Sequence, residues 1–244
     1  MDPQIALLAA VMGYLLGSIS FARLIGRFTV PQEDIARTEL AVPGSDEKLV
    51  MTAVSATSIS MRAGPKFGCL TSVLDMLKVS LPTLAFKLWF PETPYFLIVA
   101  AMGVAGHNWP LYYNFKGGRG YSAVFGGMLV IDWIAIPVTT LAGMLVGLLI
   151  FRDVLVAYMA GLWLMMPWLW FRTHDWAYLV YAVAVNIFFL LAMLPELRQY
   201  IPLKRAGKAD FSAALQSTDM RHMLKIADRL GLLKEEQSQE PMKE

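Results

Sequence analysis

YSAVFGGMLVIDWIAIPVTTLAGMLVGLLIF, residues Tyr121 to Phe151, is a 31-residue apolar stretch broken only by Asp132 and Pro137. A bilayer span takes about 20 residues, so this stretch is long for one crossing and short for two. Charge on either side decides between them. One helix would put the basic tail (Arg198, Lys204, Arg205, Lys208) across the membrane from Arg27, Lys48, Lys66, Lys116 and Arg119, whereas two short helices put all of these cations on one side. Lysine and arginine collect on the cytoplasmic side, so the sequence predicts two short helices.

The rest of the composition agrees with a membrane chain. Of 244 residues 57% are hydrophobic and 16% charged, with a mean hydropathy of +0.51. A net charge of +2, with cations spread along the chain, argues against nucleic acid as a partner. The one cysteine, Cys69, excludes an internal disulfide, and His107, His174 and His222 are too scattered for a metal cluster, so no metal or other cofactor is expected.

Downstream, Val154 to Phe171 and Trp176 to about Pro195 read as two further spans, with Trp163, Trp168, Trp170 and Trp176 as interfacial anchors. Upstream, Ile5 to Ala22 is an uncharged run of 18 residues; it lacks a basic leader and a cleavage site and reads as a retained first helix. Phe67 to Phe86 and Tyr95 to Phe115 read as helices two and three. The expectation is an all-α, polytopic integral membrane protein with seven transmembrane helices, its N-terminus outside and its C-terminus cytoplasmic. Residues 1–200 form the membrane domain, with 29–66 a cytoplasmic loop that carries a short helix from Ser45 to Met61. Residues 201–244 form a cytoplasmic tail, with an amphipathic helix near 218–231 and a disordered end. That helix could lie on the membrane, pack on its own protein or meet a protein partner.

Chemistry concentrates in Gly106-His107-Asn108-Trp109-Pro110 and Asn114-Phe115-Lys116-Gly117-Gly118-Arg119-Gly120. Glycines let backbone amides turn toward a ligand, Lys116 and Arg119 supply charge, and the helix opening at Tyr121 offers its positive end. The pattern suits a phosphate and equally a plain basic loop at the membrane surface. Asp75 and Lys78 share a face of helix two, where buried charges mark either a functional site or a structural ion pair. Ser55, Thr57, Ser58 and Ser60 could line a site or coat a surface. Lys116, Arg119, Arg62, Lys66 and Arg198 could converge from three cytoplasmic loops on one or two phosphate groups, with the helices forming an apolar wall for an acyl chain. No Ser-His-Asp spacing, acidic pair or nucleotide P-loop is present.

Gly13-Tyr14-Leu15-Leu16-Gly17-Ser18-Ile19-Ser20-Phe21, Leu74-Asp75-Met76-Leu77-Lys78 with Pro82, and the histidine and glycine stretches above resemble, in matching order, the PlsY-type glycerol-3-phosphate acyltransferases. The resemblance implies a bacterial inner-membrane enzyme of phospholipid synthesis. It would move an acyl group from acyl phosphate to glycerol 3-phosphate and give lysophosphatidic acid, without metal or coenzyme A. On this resemblance His107, Asn108, Ser58, Arg62 and Arg198 would act at the reacting centre. Lys116, Gly117, Gly118, Arg119, Gly120 and Thr57 would hold substrate phosphate, and Gly17, Ser18, Asp75 and Lys78 would support them.

Two stretches depart from the family pattern. Thr52 to Arg62 keeps Ala56-Thr57 but has neither of the family's asparagines, and pairing Gly44-Ser45 with the family's Ser-Gly puts Asp46 in place of one of them. Leu197-Arg198-Gln199-Tyr200 keeps only the arginine of a His-Arg-x-Asn pattern. The competing readings are a relative that binds a phospholipid or acyl phosphate, or partners another lipid enzyme, without turnover, and a small transporter using Asp75 and Lys78.

Overall fold

The computed structural model describes residues 1–41 and 48–207. The expected tail helix near 218–231, the chain end, Lys208, His222 and the Gly44–Asp46 alternative all lie outside the described residues.

The first helix is shorter than expected. α1 (Pro3–Gly17) starts on Pro3 behind the Asp2 cap and stops at Ser18; a second helix, α2 (Phe21–Thr29), begins at once behind a Ser20 cap. The uncharged run from Ile5 to Ala22 is thus broken in its last turn. Hydroxyls cause the break: Ser18 Oγ donates to the Tyr14 carbonyl at 2.8 Å and accepts from the Leu111 amide at 3.3 Å, while Ser20 turns to the amide of Arg23.

The next segment corrects the expectation of helix from Ser45 and of a chain without strands. β1 (Thr38–Ala41) pairs antiparallel with β2 (Lys48–Met51), with Thr38 opposite Met51. Helix begins only at α3 (Ala56–Ala63), where Ser55 and Ser58 form a reciprocal capping box. Gly64, at φ +97°, then turns the chain into α4 (Pro65–Trp89).

α5 (Tyr95–Asn108) ends at the glycine loop, earlier than the expected Phe115, because Pro110 and a 3₁₀ turn at Leu111–Tyr113 take over. The Tyr121–Phe151 stretch is two helices, α6 (Tyr121–Ile131) and α7 (Ala135–Leu145), the latter extended by a π turn at Val146–Ile150. Asp132 makes the division. Its carboxylate accepts from the Ile134 amide at 3.2 Å, Trp168 Nε1 at 3.0 Å and Arg172 Nε at 3.1 Å, which holds the corner against the end of α8 (Val154–Thr173). α9 (Trp176–Arg205) closes the described chain.

Among the described residues the α1–α2 segment, α4 and α9 are long and apolar enough to cross a membrane, while α6 and α7 are shorter apolar helices. Leu7, Leu81, Leu141, Trp176 and Val180 are exposed, as lipid-facing residues of such helices should be. The core lies between α4, α5, α6, α8 and α9 around Val79, Phe86, Val104, Met128, Leu169 and Phe189. α1 reaches α5 through glycine: a Cβ on Gly17 would stand 2.8 Å from Gly103 Cα. Such backbone approach is how helices associate where burial from water no longer drives them.

Candidate active site

The site grows from the end of α5. His107 and Asn108 are buried in its last turn, and Pro110 then reverses the chain. Asn114 and Phe115 are both left-handed, at φ 51° and 58°, an uncommon state for a phenylalanine, and they swing Lys116 to Gly120 back over the helix end. Gly118 donates its amide to the His107 carbonyl at 3.1 Å, and a Cβ there would stand 3.0 Å from His107 Cδ2. Only glycine lets the loop lie on the imidazole. Gly120, at φ 87°, opens α6 with no side-chain cap, so the positive end of that helix faces the loop.

Behind the loop the structure joins what the sequence showed as separate features. Lys78 Nζ donates to Asp75 Oδ1 at 2.7 Å and to the Ile19 carbonyl at 2.6 Å, and lies 3.0 Å from His107 Nδ1. All three side chains are buried. His107 therefore connects an ion pair on one edge of its ring to the glycine loop on the other. Asn108 donates to the Phe188 carbonyl at 3.3 Å and leaves its own oxygen without a partner, beside Gly120.

The cations do not all converge. Arg119 is paired with Glu196, which also accepts from the Thr52 amide at 3.4 Å, and Arg119 reaches the Thr52 hydroxyl at 3.3 Å. Arg62 turns to the Glu33–Thr38 segment: its guanidinium meets Glu33 at 3.3 Å, the Thr38 hydroxyl at 2.9 Å and the Arg37 carbonyl at 2.6 Å. Ser58 is buried in the cap of α3, whereas Thr57, Lys66, Lys116 and Arg198 are exposed. The hairpin segment is tied to the site from outside, by Gln199 bonded to both the amide and the carbonyl of Val50 and by the Val54 amide donating to the Gly117 carbonyl at 3.0 Å.

Two residues at this site escaped the sequence reading. Arg23 donates to the Lys116 carbonyl at 2.9 Å and lies 5.0 Å over the Tyr113 ring. Glu196 could have been found: a lone acid near the end of an apolar helix is itself a sign of a site. Arg23 carried no such sign while helix one was read as running through Ala22.

Fold and site together define a multi-pass membrane protein with a cationic glycine loop laid over a buried Asp–Lys–His cluster. The chain belongs to the glycerol-3-phosphate acyltransferase family, whose sequence model matches residues 7–201. A glycerol-3-phosphate acyltransferase of Maricaulis maris is 33% identical over 158 residues, and one of Desulfotalea psychrophila 31% identical over 133. These matches cover 64% and 53% of this chain and span 66% and 61% of the two relatives, under two thirds of their length. Crystal structures of PlsY, an integral membrane glycerol 3-phosphate acyltransferase, share the fold. The glycerol 3-phosphate form has a TM-score of 0.65 at 23% identity and the lysophosphatidic acid form 0.66 at 22%, each covering 84% of this chain and 94% of the other.

Proposed function

We propose that this chain is a bacterial inner-membrane glycerol-3-phosphate 1-O-acyltransferase that takes its acyl group from acyl phosphate and releases lysophosphatidic acid for phospholipid synthesis. The observation that carries this reading is the glycine loop fixed on His107 by backbone and ring contacts, with the uncapped start of α6 beside it. In this reading α1, α4, α5, α6, α7, α8 and α9 are the seven spans, with the N-terminus outside and the C-terminus in the cytoplasm. α3 and the hairpin lie at the cytoplasmic face, within the 29–66 loop of a membrane domain that ends near residue 200, and α2 leads into that loop.

The chemistry needs no protein nucleophile. The acceptor's 1-hydroxyl oxygen bonds to the acyl carbon, the acyl carbon–oxygen bond to phosphate breaks, and the departing phosphate takes the hydroxyl proton. Lys116 and the Gly117–Gly120 loop hold phosphate, while His107 and Asn108 brace the loop and fix its distance from the acyl chain. Rate comes from orientation and from charge placed in advance where the transition state needs it.

The test is transfer to labelled glycerol 3-phosphate by the purified protein in lipid, with acyl phosphate or acyl-CoA as donor. Lysophosphatidic acid formed from acyl phosphate alone, and lost in Lys116→Ala, is the expected result. No product from either donor, in protein shown to be folded, would replace this reading with that of a lipid-binding relative.

A further inference from the structure

The glycine loop carries the motif's arginine, yet Arg119 is the cation least able to receive a phosphate. Its guanidinium is paired with Glu196, whose side chain is 3% exposed. A phosphate dianion arriving there would meet a carboxylate at ion-pair distance, and taking Arg119 away would strand a buried charge. Arg62 is likewise paired, with Glu33. Two of the expected phosphate ligands thus already hold anions that belong to the chain.

Arg23 is in the opposite state. It comes from the first turn of α2 and reaches the loop because the first helix breaks at Ser18; had the helix run on, residue 23 would continue the α1 axis. One amino group is fixed by the Lys116 carbonyl, and the guanidinium is steadied over Tyr113. Its Nε is buried without a partner, as is that of Arg119; the difference is that among the described residues no carboxylate forms an ion pair with Arg23 or with Lys116. A buried donor without an acceptor marks the place of a missing one. A planar guanidinium with donors still unused, bonded to the backbone of the loop lysine, is suited to the fork geometry of a phosphomonoester.

We propose that Arg23 is a substrate-phosphate ligand of this chain, acting with Lys116, and that the Arg119–Glu196 pair serves instead to fasten the hairpin segment to α9. This rests on the proposed function and names which residue holds the phosphate there. It also accounts for the missing amide donors of the two departed motifs, since Arg23 brings donors from an unrelated element.

The experiment measures glycerol 3-phosphate and inorganic phosphate binding by calorimetry on the full chain in nanodiscs, and separately the KM for each substrate. Arg23→Gln should weaken binding and raise KM for one phosphate substrate by about tenfold, with kcat changed by less than about threefold, and Arg23→Lys should recover part of the loss. The substrate whose KM moves identifies which phosphate Arg23 holds. The double variant Arg119→Gln, Glu196→Gln, which removes the pair without stranding a charge, should raise KM less than Arg23→Gln does. The proposal is overturned if Arg23→Gln leaves binding and both KM values within threefold, if the double variant has the larger effect, or if the wild-type chain binds no phosphate. Phosphate binding that depends on Arg23 without any acyl transfer would keep the ligand assignment and remove the proposed activity; turnover indifferent to Arg23 would do the reverse.

Discussion

Replacing Lys78 by methionine tests the buried cluster most directly. Methionine keeps most of the side-chain length but removes the charge and every donor. Asp75 would keep only His107, whose Nδ1 is 3.6 Å away, and the Ile19 carbonyl would lose the 2.6 Å bond from Lys78. Removing one partner of a buried ion pair costs about 3–5 kcal/mol, and an orphaned buried acceptor about 1–3 kcal/mol. The two losses share one donor and do not add fully, so about 4 kcal/mol is expected, a large part of the ~5–15 kcal/mol that holds a domain folded. Taking Asp75 to asparagine in the same chain removes the stranded charge and should recover about 2 kcal/mol, since contacting residues couple by about 0.5–3 kcal/mol. The assay is reversible unfolding in mixed detergent micelles, followed by tryptophan fluorescence, for wild type, Lys78→Met, Asp75→Asn and the double variant. A cost below about 1 kcal/mol for Lys78→Met, or a cycle without coupling, would refute the claim that Lys78 is the shared donor of this cluster.

Two further outcomes follow from the packing and the charges. Gly118→Ala would set a methyl group 3.0 Å from His107 Cδ2, on a ring that cannot retreat because Lys78 stands against its other edge; loop and ring must separate, at about 1–3 kcal/mol, and acyl transfer should fall. Asp153, at the cap of α8, is pushed up by burial but drawn down further by Lys204 and by the amides of Val156 and Leu155, so its carboxyl sits below the usual 3.8. With the folded value depressed, its contribution is fully present above the unfolded pKa and is lost as pH falls through the folded one; a melting curve against pH should be flat in this respect above about pH 5 and drop more steeply below pH 4 than that of Asp153→Asn.

Much of the architecture was legible because a bilayer simplifies the reading. The division of Tyr121–Phe151 came from charge bookkeeping across the membrane, while the choice of Asp132 over Pro137 as the corner depends on Trp168 and Arg172, which are distant in sequence. The loop's placement followed from glycine, which has few reasons to recur beside Lys116 and Arg119 unless a backbone or ligand comes close. The break in the first helix was hidden, because Ser18 and Ser20 are tolerable inside an apolar helix and their effect depends on Leu111 and Lys78, far along the chain. The hairpin was hidden because Lys48 to Met51 takes its order from Gln199 rather than from a strand pattern of its own. For the cations, sequence reported their sign but not their company: nothing local to Arg119 or Arg62 announces Glu196 or Glu33.

The interruption at Ser18 also has its supports elsewhere in the chain. It is closed by a lysine 59 residues downstream and by an amide 93 residues downstream. The first 20 residues alone therefore lack the donor that the Ile19 carbonyl has in the folded chain and the amide that the Ser18 hydroxyl accepts from, so the break is a property of the assembled bundle rather than of the first segment.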